Sequence, residues 1–93
     1  MLTIKTPWRV QQVEPIAGYR LWVKFIDAIE GFVDLRGLIT SENAGVFAQL
    51  QDQRLFNDVG VEYGAVTWRC GLDLAPDTMY NMIQENPEHL YIV

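Results

Sequence analysis

The sequence contains one cysteine, Cys70, in 93 residues. A single thiol builds neither an intramolecular disulfide nor a multi-cysteine metal cluster within one chain, so a scaffold stapled by disulfides and a multi-cysteine metal module are excluded. The reducing cytoplasm is the expected compartment. Histidine is equally scarce, His89 being the only one. Long apolar runs are missing too: nothing approaches the roughly 18 apolar residues of a membrane span. The leading MLTIKTPWRV lacks the apolar stretch and small-residue cleavage site of an export signal. Basic runs are absent, since Lys5, Arg9, Arg20, Lys24, Arg36, Arg54 and Arg69 are scattered, and twelve acidic residues against these seven leave a net charge of -5. That balance repels nucleic-acid phosphates and favours a neutral or basic protein partner, with no direct binding of nucleic acid expected. Repeats, low-complexity tracts and linkers are also missing, which predicts one domain over residues 1–93.

What is present is apolar material in short, punctuated segments. Hydrophobic residues make up 49% and charged residues 20%, enough to fold an ordered globule that buries somewhat over roughly 60% of the unfolded surface. Trp8 to Pro15 favours β structure, but Val10 and Val13 cannot face one side of a regular strand, so a bulge or an edge position is expected. After a turn at Ala17-Gly18, Leu21, Val23 and Phe25 alternate with Arg20, Trp22 and Lys24, the period of a half-buried strand. Asp27-Ala28 turns the chain into Ile29 to Leu35, with Ile29, Val33 and Leu35 on one face and Glu30, Phe32 and Asp34 on the other.

The alternation then stops. Ser41 is expected to cap a short helix over Ala44 to Leu50, and Leu55, Phe56 and Val59 predict a second helix ended by Gly60. Val61 to Trp68 is β-branched and aromatic and is expected to return to the sheet, with Gly64 marking a turn or bulge. Pro76 starts a third helix in which Met79, Met82 and Ile83 form the apolar stripe, and Asn86-Pro87 ends it. Leu90 to Val93 either docks as a further strand or stays loose. The fold class is α+β, with a mainly antiparallel sheet of about four strands, short helices on one face and the order βββααβα.

The segments VEPIAGYRLWVKFIDAIEGFVDL, VFAQLQDQRLFNDV and AVTWRCGLDLAPDTMY, spread over residues 13–80, resemble the bacterial family catalogued as domain of unknown function 2442. The resemblance implies the same α+β arrangement and brings no catalytic residue. It also implies an antitoxin-like or regulatory setting, because some relatives carry a helix-turn-helix segment and others are encoded beside a second small protein. At WRCGLDL, Cys70-Gly71 stands where the family commonly has Asn-Gly. Asp73 matches the family's acidic position and is read as a cap ahead of the Pro76 helix, against the alternative of a ligand contact.

No catalytic, cofactor-binding or metal-binding residue is assigned. His89 has no oriented partner implied by the sequence and is read as a surface histidine. Cys70 lacks any Cys-His or nucleophile-elbow pattern and is read as a turn thiol. Asp27, Glu30 and Asp34 match no calcium loop and are read as a solvated acidic hairpin. Met79 and Met82 are read as core rather than as a binding groove.

Three aromatics stand out. Trp22 and Phe32 point away from the main core, and with Val66 and Trp68 assigned to that same side, both sheet faces carry apolar material while the helices suffice to cover one. Trp22, Phe32 and Trp68 are the candidate interface, for a second copy of the chain or a small protein partner; the competing reading is a terminal segment folded over them, or a wrong strand phase. The function expected is a non-enzymatic protein-interaction module of antitoxin-like or regulatory type. A DNA-linked transcriptional regulator is the alternative and a small enzyme ranks last, for want of a paired acid-base group, phosphate loop or metal motif.

Overall fold

The alternation around Trp22 produces the centre of the sheet. In the computed structural model, which describes residues 6–93, β1 (Val10–Ile16), β2 (Arg20–Phe25) and β3 (Glu30–Asp34) form an antiparallel meander. The reading of the leading segment as no export signal falls partly on residues 1–5, outside the described residues. Gly18 and Tyr19 both take positive φ, 82° and 56°, in the first hairpin turn, the backbone hand that matches the twist of the flanking strands. In the second, Ala28 sits at φ 76°, an uncommon conformation for a residue with a Cβ. Asp27 offsets it by accepting the Ile29 N–H at 3.0 Å through its carboxylate.

The irregular phase of β1 resolves as expected. Its register against β2 shifts between Val10 and Gln12, and the extra residue lets Val10, opposite Phe25, and Val13, opposite Val23, both face the core.

From β3 the chain enters α1 (Arg36–Ile39), a 3-10 helix over Gly45–Gln51, and α2 (Gln53–Asn57). Asp52 caps α2 by accepting the Arg54 N–H at 3.0 Å. Ser41 caps no α-helix; its hydroxyl accepts from the Asn43 N–H, and the segment expected to be helical over Ala44 to Leu50 is the 3-10 turn instead.

Val61 to Trp68 does not return to the main sheet: Tyr63 and Gly64, at φ 51° and 77°, fold it into a separate hairpin of β4 (Gly60–Glu62) and β5 (Ala65–Thr67). That hairpin leans on β1, where the Val10 N–H donates to the Gly64 carbonyl. The strand that completes the main sheet is β6 (Leu90–Ile92), parallel to β3, in the order β1-β2-β3-β6. The architecture is α+β with a four-stranded, mostly antiparallel sheet.

Before β6 comes α3 (Pro76–Glu85), with Pro76 at its start and Asp77 in its first turn. Asp73 is not its cap. Ala75 occupies that position without a side-chain bond, and Asp73 instead forms an isolated bridge with Thr67. The buried stripe is Met79, Tyr80 and Ile83, while Met82 is 43% exposed at the rim, lining a shallow hollow with Leu90 and Ile92 of β6. Together these elements enclose one core, from Leu21, Val23 and Phe25 through Ile39, Leu50 and Phe56 to Met79 and Ile83. No described helix is long and apolar enough to cross a membrane.

Candidate functional site

The core takes one face of the sheet, and the ladder defines the other. Along β2 the side chains opposite Leu21, Val23 and Phe25 are Arg20, Trp22 and Lys24. Cross-strand pairing places Glu14, Trp22, Phe32 and Leu90 in one row across all four strands. The row on one side holds Ile16, Arg20, Asp34 and Ile92, and on the other Gln12, Lys24 and Glu30. No described element packs over these rows: Phe32 is 43% exposed and Ile92 67%. Trp22 is half-buried and its indole N–H donates to the Glu30 carboxylate at 3.2 Å, which fixes the ring across the strand.

Trp22 and Phe32 therefore lie side by side on the open face. Trp68 does not join them, and its place in the candidate interface is withdrawn. It is 1% exposed, and its indole N–H donates to the Phe56 carbonyl at 3.0 Å. The reason is the Tyr63-Gly64 turn, which detaches β5 from the main sheet and points Val66 and Trp68 into the core. Leu90 and Ile92 enter the face in its place. Leu90, Tyr91, Ile92 and Val93 are all apolar or aromatic and carry no period-two pattern, and a three-residue strand pairing in parallel across a helix has no local signal.

The titratable groups are spread out. Among the described residues no three His, Cys, Asp or Glu side chains converge on a metal-sized site. Cys70 is exposed in a tight turn, where Gly71 takes φ 95° and donates to the Trp68 carbonyl. His89 is exposed, with Nδ1 3.1 Å from the Glu30 carbonyl oxygen. Arg69 and Asp58 pair at 2.6 Å on the surface, and the shallow hollows beside them are open to solvent. The Asp27-Glu30-Asp34 hairpin is divided among separate tasks: Asp27 accepts from the Tyr80 hydroxyl, Glu30 from Trp22, and Asp34 from the Arg36 N–H.

The Tyr80 contact locks α3 to the β2–β3 turn. Its hydrogen bond to Asp27, then burial, then the carboxylate's charge raise the Tyr80 pKa above the ordinary 10.0, against the opposing amide of Gln84. A raised folded-state value means that the contribution is intact below about pH 10 and is lost as pH climbs through the raised pKa. Tyr80→Phe is expected to cost about 1–2 kcal/mol at neutral pH, as for a hydrogen bond to a charged group at a partly screened site. Urea denaturation from pH 7 to 11 should show the gap between parent and variant closing only at the alkaline end.

Comparison with known proteins adds a single finding. The family model described as Protein of unknown function (DUF2442) matches residues 10–85. The chain belongs to the DUF2442 family. Comparison with curated proteins and with solved structures gives no match. The DUF2442 match begins at the buried end of β1 and closes with α3, so Trp22 and Phe32 fall inside the family's segment while Leu90 and Ile92 lie past it.

Proposed function

We propose that this DUF2442 chain is a non-enzymatic protein-interaction module, of regulatory or antitoxin-like type, that works through the open face of its main sheet. The observation that carries this is the Glu14-Trp22-Phe32-Leu90 row. Two aromatics and a leucine run side by side across the strands with Ile16 and Ile92 adjoining, on the face of the main sheet that no described helix covers. Aromatics ringed by charged residues are the composition of an interface centre with its polar rim. The net charge of -5 supports a protein occupant over nucleic acid.

The test is a photo-crosslinking residue substituted at Phe32, expressed in the cell of origin, with the same residue at Tyr63, 90% exposed on the β4–β5 turn, as control. A defined adduct at position 32, absent at position 63 and lost on Trp22→Ala, is expected. Equal labelling at both positions, or none at position 32, would remove the reading. Trp22→Ala itself should leave the unfolding free energy of the isolated chain within about 1 kcal/mol of the parent, since the ring fills no part of the core.

A further inference from the structure

The charges of the open face are sorted by strand. On β2, Arg20 and Lys24 flank Trp22; on β3, Asp34 and Glu30 flank Phe32, with Arg20 opposite Asp34 and Lys24 opposite Glu30 in the ladder. A basic column thus adjoins an acidic one. None of the four is ion-paired among the described residues, where the salt bridge is that of Arg69 with Asp58. Arg20 instead turns its Nε to the Ala17 carbonyl.

This pattern is complementary to itself under one operation. Sheets pack face to face with their strands aligned to within about 30°. A two-fold axis parallel to the strands, above the line between β2 and β3, exchanges the two columns and exchanges β1 with β6. Arg20 then lies over Asp34 of the second copy and Lys24 over its Glu30, so each charged row becomes a square of alternating signs. Trp22 lies over Phe32 of the second copy, and Ile16 meets Ile92. The perpendicular two-fold through the aromatic row does the reverse: it sets Arg20 over Lys24, Asp34 over Glu30 and Glu14 over itself, all like charges. An isologous contact requires that residue i meets j and j meets i, and only the first axis meets that condition with opposite signs.

We infer that the occupant of the open face is a second copy of this chain, docked sheet on sheet about the strand-parallel two-fold. The inference rests on the interaction-module reading and names its partner. Four strands spaced about 4.8 Å apart, with about 20 Å along β2, offer a face smaller than the roughly 800 Å² per partner of a standard interface. The five excess negative charges on each copy add a long-range repulsion that the local pairs must offset, so the dimer is of the weak, exchanging class.

The experiment is sedimentation equilibrium of the full chain up to about 1 mM, the weak end of measurable affinity. The parent should dimerise. Arg20→Glu and Asp34→Lys should each weaken self-association about tenfold or more, by setting like charges over each other twice per dimer. An equimolar mixture of the two variants should recover the parent's association to within about threefold, since both pairs that face each other across the interface at that row are again opposite in sign; this recovery also shows that both variants fold. A parent that stays monomeric overturns the inference, as does a mixture that fails to recover. The two readings separate through the Phe32 crosslink. A monomeric parent with an adduct to a different protein leaves the interaction module standing without its second copy, whereas no adduct at all removes both.

Discussion

Trp68→Ala is expected to lower the unfolding free energy by about 3–5 kcal/mol, the range for deleting a large buried aromatic. The ring lies between the secondary hairpin and the helical side of the core, 6.0 Å from the Phe56 ring centroid, and Phe56 in turn meets Tyr19 edge-on at 5.4 Å. Truncation therefore loosens α2 and the β1–β2 turn together. It also strands the Phe56 carbonyl, which accepts the indole N–H in a buried position, adding the penalty of an unsatisfied acceptor. Trp68→Phe should recover most of the packing but not that bond, and so fall between the parent and alanine. Urea denaturation of the three chains reads the order directly. An alanine variant within 1 kcal/mol of the parent, a bound well below the range for buried aromatics, would put Trp68 outside the core.

Gly31→Ala is expected to cost about 3 kcal/mol, at the upper end for overpacking. The backbone of Gly31 is ordinary extended strand, and the constraint is space. A Cβ there would stand 2.5 Å from the His89 carbonyl oxygen and 2.6 Å from Ile83 Cγ2. The first atom belongs to the backbone that starts β6 and the second to a fully buried side chain of α3, so neither swings aside freely. That carbonyl accepts the Phe32 N–H at 2.9 Å, and displacing it breaks the β3–β6 ladder. Faster exchange of the β6 amides should accompany the lost stability. Gly37→Ala is the control, because a Cβ at Gly37 meets nothing within 4 Å.

These two positions also mark what the sequence makes legible. The meander was readable because each local choice agreed: strict alternation in β2, turn chemistry at Gly18 and Asp27, and a phase break between Val10 and Val13 that demanded the observed bulge. The same alternation put Trp22 and Phe32 on the face opposite the core. What failed depended on contacts distant in the chain. Gly64 signals a turn or a bulge equally, and only the positive φ that Tyr63 takes beside it decides for the turn of a separate hairpin, which points Trp68 into the core. β6 supplies Leu90 and Ile92 to the open face beside Phe32, yet its three residues are placed by the Gly31 gap and by α3 rather than by their own pattern. Helix α1 carries no helical signal, because Gly37 interrupts a segment of only four residues.

The indole N–H resonances of Trp8, Trp22 and Trp68 measure the central claim most directly. They can be followed in one protein by nuclear magnetic resonance as its concentration rises from about 10 μM to about 1 mM, a span that brackets weak association. Trp22 faces the surface offered for docking, Trp68 is sealed in the core, and Trp8 packs partly against the core. The account predicts that the Trp22 indole and the Phe32 amide shift together along one saturating curve while Trp68 stays fixed. A Trp22 resonance that does not move while signals elsewhere on the surface do would contradict it.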